Sequence, residues 1–435
     1  MNRLFLAILF YLTLTNISIA QSVTEQKVFT KDIDNFWIAY DSVKSTTDSV
    51  KQAHFVQTIY VDKGTPGLKS FMKARNYSTE LYIKLINKYP EFWTSIRPKT
   101  LQVKNKTKDI EGSIAKLKIL YPELKNAKMY FTIGGLRSGG TTTDSMVLIG
   151  AEIATGDSTT NVSEFSNKWL AGVFKEQSSD NLVSLNVHEY IHTQQNGESD
   201  NLLAQAIKEG SCDFMAELVI GKSLQRNYIT YGQQHKKELK ETFKKDMFTT
   251  AYDKWLYNGN DTKTVADLGY FMGYEICKSY YANAKNKKRA IKEIIELNYS
   301  DTSAVEGFLK KSRYYTEPID KEQLMLSFRE KQPQLLNLEP FNNGDTMVDT
   351  SLKQITIVFS KPMGKGYSIN YGNSGKDFYP ITGVVGFSDD RTKFSVNIVL
   401  KPNHEYEFII TNRSFNSSDG YPLLQDYTIK FKTKP

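Results

Sequence analysis

Two cysteines in 435 residues cannot staple a chain of this length. A disulfide framework of the kind that replaces a core in small secreted domains is therefore excluded. Cys212 and Cys277 either form one bond or sit as two small buried side chains, and the sequence leaves both open. Long apolar runs are also missing. After residue 20 no stretch reaches the ~20 apolar residues that a spanning helix needs. Basic residues outnumber acidic ones, giving a net charge of +8, yet they are not gathered. The densest runs, HKKELKETFKK (235–245) and AKNKKRAIKE (284–293), interleave acids and apolar residues at helical spacing. They read as solvated helix faces, which argues against nucleic acid as a partner. No repeat runs through the chain, so a solenoid is excluded.

What is present is ample core material. The chain has 26 Tyr and 24 Phe, and 40% of its residues are hydrophobic. Its length predicts two or three folded units. The first twenty residues, MNRLFLAILFYLTLTNISIA, combine Arg3, an apolar run from Leu4 to Leu14 and small residues at Ser18 and Ala20. This pattern predicts a secretory signal peptide over residues 1–20, cleaved after Ala20. No cysteine follows the cleavage point, which argues against a lipid-anchored start. The expected location is exported, either periplasmic or extracellular.

From Thr30 the pattern is helical, with Ile33, Phe36, Trp37 and Tyr40 on one face and Asp32 as a cap. Further helices are expected near 80–97 and 108–120, punctuated by Pro90, Pro98 and Pro122. KMYFTIGG (128–135) and SMVLIGAEIA (145–154) read as two strands joined by the Gly/Ser/Thr loop LRSGGTTTDS. Helices are then expected near 163–177, 180–196, 200–221, 233–247, 262–284, 287–297 and 318–329. The stretch 330–343, with Pro333, Pro340, Asn342 and Asn343, reads as a linker. Beyond it the period becomes two. Ile355, Ile357 and Phe359 alternate with polar positions, as do Phe394, Val396, Ile398 and Leu400, then Tyr406, Phe408 and Ile410, then Ile429 and Phe431. Short alternating strands between turns predict a β-sandwich. The predicted class is α+β, with a mostly helical part and small sheet over 21–330 (21–125 and 126–330) and a sandwich over 331–435.

Histidine is scarce, five in the chain, yet two stand four apart in NVHEYIHTQQNG (186–197). Ser179 or Asp180 can cap a helix here and Gly197 can end it. On that helix His188 and His192 lie on one face, and both rings can reach one ion at about 2.0–2.1 Å. Glu189 lies about 100° round from His188, so it flanks the ion without binding it. A carboxylate so placed can take a proton from a metal-bound water. Without a metal, the same residues are satisfied polar groups on a buried helix. His54, His235 and His404 lack such company and read as surface or packing residues.

A third ligand must come from elsewhere. The metzincin pattern fails, because Gln195 and Glu198 occupy its glycine and histidine positions. No cysteine precedes the motif to serve as a ligand. In DNLLAQAIKEGSCDFMAEL, Glu209 and Asp213 lie four apart on a largely apolar helix, where an unpaired carboxylate is costly. Glu209 can bind the ion, and Asp213 can accept the other ring N–H of His188. Glu198 and Glu217 are the weaker candidates. In GYFMGYEICKSYY (269–281), Tyr270 or Tyr274 could donate to a developing oxyanion, although a tyrosine stripe is more often core.

His188-Glu189-Tyr190-Ile191-His192, followed by Glu209 and Asp213, resembles the gluzincin class of zinc metallopeptidases, the thermolysin-like group. The resemblance covers about 130–215. It departs in a shorter spacing, sixteen residues between His192 and Glu209, and in Lys208 before the ligand. It implies a zincin-like domain holding Zn2+ through His188, His192 and Glu209. Glu189 would be the catalytic base acting on a peptide or protein substrate, with Tyr270 or Tyr274 assisting. It also implies that KMYFTIGG or SMVLIGAEIA is an edge strand bordering the cleft. The stretches FSKPM and LKPNHEY resemble the bacterial Ig-like domain, a module that spaces, stabilises or contacts a surface partner. The expected function is thus an exported zinc peptidase. The alternative is a non-catalytic secreted or surface binding protein with a structural or vestigial metal site, and Glu189 beside two ligands favours the first.

Overall fold

The computed structural model describes residues 26–143, 145–176, 178–199, 201–259 and 265–435. The expected signal peptide lies outside them. The periodicity after Thr30 forms the helix Lys31–Lys44, and Ile33, Phe36, Trp37 and Tyr40 are all buried. Phe36 packs 5.1 Å from Trp93 and 5.3 Å from Tyr60, ring to ring. Such pairs add roughly 0.5–1.5 kcal/mol beyond area burial. Asp32 does not cap this helix. It accepts from the backbone N–H and hydroxyl of Thr65 instead, which ties two helices together.

The helix expected near 80–97 is two, Thr79–Lys88 and Pro90–Leu101. Pro90 opens the second at a position where its missing N–H costs nothing, and Pro98 lies inside it rather than ending it. The helix Thr302–Ser312 was not expected from the periodicity; Asp301 caps it through the Ala304 N–H.

Two strands and a loop are expected over 128–154, but the chain forms more. β1 (Val28–Phe29), β2 (Lys128–Thr132), β3 (Gly140–Thr143) and β4 (Met146–Gly150) make one sheet in the order β1-β2-β4-β3. β2 and β4 pair in parallel, Phe131 opposite Ile149, so they are not a hairpin. The Gly/Ser/Thr loop itself supplies β3, which pairs antiparallel with β4 through Thr141 and Leu148. The edges are therefore β1 and β3, not KMYFTIGG or SMVLIGAEIA. AEIA leaves the strand for a helical turn, Ala151–Ala154.

Two long helices, Leu202–Ile220 and Leu268–Asn283, meet backbone to backbone. A Cβ on Gly210 would lie 2.0 Å from the Tyr274 nitrogen, and one on Gly273 would lie 1.7 Å from the Ala206 oxygen. Only glycine permits that approach.

The C-terminal strands are β5 (Leu335–Glu339), β6 (Gln354–Phe359), β7 (Ile369–Tyr371), β8 (Ile381–Phe387), β9 (Lys393–Ile398), β10 (Glu405–Ile410) and β11 (Tyr427–Lys432). They form sheets β5-β6-β9-β8 and β11-β10-β7, paired antiparallel. Ile355, Ile357, Phe359, Phe394, Val396, Ile398, Phe408, Ile410 and Ile429 are buried between the sheets, as period-two alternation requires. The fold is thus a helical N-terminal part with a small sheet, followed by an all-β module.

Candidate metal centre

The motif occupies the helix Leu182–His192. Its buried face, Leu182, Val187, Tyr190 and Ile191, sets its rotation. The Tyr190 hydroxyl accepts the Ala127 N–H at 2.9 Å, which fixes the helix against the start of the sheet. Asn181 holds the cap position without a side-chain capping bond, its amide donating instead to the Gln225 carbonyl, and the last turn closes at Thr193 rather than Gly197. Gly197, at φ +81°, serves the turn that follows.

His188 and His192 Nε2 lie 3.2 Å apart. Glu209 Oε2 is 3.2 Å from His192 Nε2 and 3.5 Å from His188 Nε2. Ligand atoms around a tetrahedral zinc with ~2.0–2.1 Å bonds sit roughly 3.3–3.4 Å apart, so this triangle has the right size for one ion. Both Nδ1 atoms are engaged on the other side. The Nδ1–H of His188 donates to Asp213 Oδ1 at 2.8 Å, and that of His192 to Gln195 Oε1 at 2.7 Å. Those bonds turn both Nε2 atoms toward Glu209. As neutral imidazoles the two rings, with the carboxylate, would offer one ion three ligand atoms, a donor set that suits zinc.

Cys212 is also within reach of the two histidines, its sulfur within 4.8 Å of their ring nitrogens. It faces the wrong side. Cys212 Sγ lies 3.5 Å from His192 Nδ1 and donates to the Lys208 carbonyl. Cys212 and Cys277 are both buried and free.

A ring of polar groups orients the three candidate ligands. Asp213, fully buried, accepts the Tyr228 hydroxyl at 2.7 Å and faces Arg226 at 3.5 Å. Glu209 Oε1 accepts from Gln205 Nε2 and the Tyr257 hydroxyl, each at 3.0 Å. Gln195 Nε2 donates to the Lys208 carbonyl at 2.7 Å, which holds its oxygen toward His192. The Tyr270 ring stacks on His188 with centroids 6.1 Å apart. Burial opposes charge on His188, but the Asp213 carboxylate outweighs it and raises the imidazole to about 10. Burial likewise opposes ionised Glu209, yet His192 and His188 hold it well below the usual carboxylate range.

The structure thus brings together His188, His192, Glu209, Asp213 and Tyr270, and Glu189 stands beside them. Glu189 points to β3, where a Cβ on Gly140 would lie 3.0 Å from its Oε1. Tyr274 turns away. Its hydroxyl donates to Glu217 at 2.8 Å and accepts from Lys278 at 2.7 Å. That bond also removes Glu217 as a ligand, while Glu198 is exposed and faces Lys208. Sequence reasoning missed Tyr257, Gln205, Tyr228, Arg226 and Gln195. Two of these carried a local signal, Gln195 three residues past His192 and Gln205 one turn before Glu209 on the same helix.

Among the described residues no helix is long and apolar enough to cross a membrane. Two family models match the chain. One, described as gliding motility protein GldB, covers residues 16–266. The other, a bacterial Ig-like domain, covers 329–433. A comparison with curated proteins finds no match. Among solved structures, CopC from Methylosinus trichosporium OB3b is 19% identical, covering 24% of this chain and 95% of that one, with a TM-score of 0.18. The S-layer protein rSbsC(31-844) is 12% identical, covering 65% of this chain and 44% of that one, with a TM-score of 0.18. Surface layer protein SbsC, domains 1-6, is 12% identical at a TM-score of 0.19, covering 75% of this chain and 45% of that one. The chain spans less than half the length of both S-layer structures.

The first match overturns the peptidase expectation. It spans β1–β4, the motif helix, Glu209 and Asp213 in one stretch, and the family it describes is a motility protein, not a hydrolase. The zincin-like fold assignment and a peptide substrate lose their support with it. So do the catalytic roles read for Glu189, Tyr270 and Tyr274, which depended on hydrolysis. The Ig-like resemblance holds.

Proposed function

Since the chain belongs to the family of the gliding motility protein GldB, we propose that it is an exported, non-catalytic binding protein serving gliding motility. His188, His192 and Glu209 hold a structural zinc, and the Ig-like module meets a surface partner. The observation that carries this reading is the match over 16–266, which takes in all three candidate ligands and Asp213. The burial of the site fits an ion that ties helices together, with water in the fourth position that three protein ligands leave open. His188 and Glu209 are buried, and both ligand helices contribute side chains to the helical core. An ion there joins the motif helix to Leu202–Ile220 and stabilises the folded chain by the free energy of its binding. Glu189, half-buried against Gly140, packs the motif helix onto β3.

Incubation of the zinc-loaded chain with a peptide library tests the absence of catalysis. No cleavage is expected from the parent. Zinc-dependent cleavage that disappears in Glu189→Ala would overturn the non-catalytic reading.

A further inference from the structure

The Ig-like module reaches the metal centre through one short stretch of chain. Tyr252–Trp255 forms a single helical turn. On the module side, the Lys254 ammonium lies 3.4 Å from the centroid of the Tyr421 ring. The Asn416 amide donates to the Asp253 carboxylate. A Cβ on Gly420 would stand 3.3 Å from the Lys254 stem. On the inner side, Trp255 Nε1 donates to Asp246 Oδ2 at 3.0 Å and Leu256 is fully buried. The turn is therefore gripped from both faces.

At the next residue the backbone turns into the left-handed region, with Tyr257 at φ +58°. A side-chain-bearing residue stays there only where its surroundings fix it. Here the Tyr257 N–H donates to Asp267 Oδ1 at 2.6 Å, and the Asp267 N–H donates to Asn258 Oδ1 at 2.9 Å. The outcome is a tyrosine 63% exposed whose hydroxyl nevertheless donates to Glu209 Oε1 at 3.0 Å. Gln205 Nε2 donates to that same hydroxyl at 2.6 Å. An exposed ring gains little from burial, so its place is set by the strained turn and these polar bonds.

We propose that residues 252–257 are a strut through which docking of the Ig-like module sets the metal affinity of the centre. Tyr257 positions the Glu209 carboxylate so that Oε2 faces the two histidines. Tyr421 and Asn416 position Tyr257 through Lys254 and Asp253. The inference rests on the zinc reading given above. Because coupling between two sites is reciprocal, zinc in turn tightens the docking of the module. A partner that pulls on or rotates the module thereby weakens or strengthens the ion's hold.

The test is zinc titration of the full chain against a competing chelator. Tyr421→Ala and Tyr257→Phe are expected to weaken zinc binding about tenfold, within the usual range for coupled sites and outer-sphere partners. Tyr421→Phe keeps a ring under Lys254 and is expected to match the parent. Zinc is also expected to slow deuterium exchange across 252–257 in the parent and not in Tyr421→Ala. Equal affinity in Tyr421→Ala and the parent overturns the coupling and leaves the centre standing. A parent that binds no zinc overturns both. Should Tyr421→Ala lose its fold, Lys254→Met removes the cation and keeps the stem, and unchanged affinity there overturns the strut.

Discussion

Glu209 turns one carboxylate oxygen to His192 at 3.2 Å and the other to the Tyr257 hydroxyl at 3.0 Å. One side chain thus belongs both to the candidate ligand triangle and to the polar ring that supports it. The chemistry of the centre depends on that division.

The first consequence concerns Asp213. It fixes the His188 tautomer from the far side of the ring. Asp213→Asn keeps the shape and removes the charge. Zinc affinity is expected to fall by about 10–100-fold, as for comparable outer partners. Competitive chelator titration measures it, and unchanged affinity would remove Asp213 from the account.

The second concerns helix packing. In Gly210→Ala the new methyl would sit 2.0 Å from backbone at Tyr274, where no side chain can move aside. A loss at or above the upper end of the ~1–3 kcal/mol typical of overpacking is expected. Gly112→Ala is the matched control. It lies in the helix Val103–Leu120 with nothing within 4 Å of the added atom, and a gain of roughly 0.5–1 kcal/mol is expected. Denaturant unfolding of both variants decides the matter.

The third concerns pH. Glu152 is fully buried and accepts the Gly134 and Leu136 N–H groups at 2.8 and 3.2 Å. Burial dominates and raises its carboxyl from 4.5 to about 7. The folded chain then holds this proton more tightly than the unfolded chain does. The resulting stability is present in full below pH 4.5 and is lost as pH rises to about 7. The stability difference between the parent and Glu152→Gln is therefore expected to shrink across that window, by a few kcal/mol at most. A difference that stays flat with pH would contradict the assignment.

Much of this arrangement was legible in the chain. His188, His192, Glu209 and Asp213 announce themselves because helical spacing converts four-residue steps into one face, whatever the tertiary fold. The sandwich strands are legible for the same reason, since period-two burial is local. β3 was not, because GTTT carries no apolar alternation and becomes a strand only by pairing with β4. Tyr257 was not, because it reaches Glu209 across 48 residues through a strained turn with no periodic signal. Asp32 shows the converse. It stands where a cap belongs, but the competing Thr65 donors take its carboxylate. The peptidase expectation failed for another reason. A ligand triangle records what can bind a metal, and the reaction, if any, is not written in the ligands alone.

The most direct measurement is metal content by elemental analysis of the purified chain from Gln21, beside His192→Ala and Glu209→Ala. About one zinc per parent chain is expected, with loss in both variants and a lower melting temperature after chelation, as for an ion that binds only the folded state. A parent that holds no zinc after reconstitution, or that melts identically with and without chelator, would contradict the account.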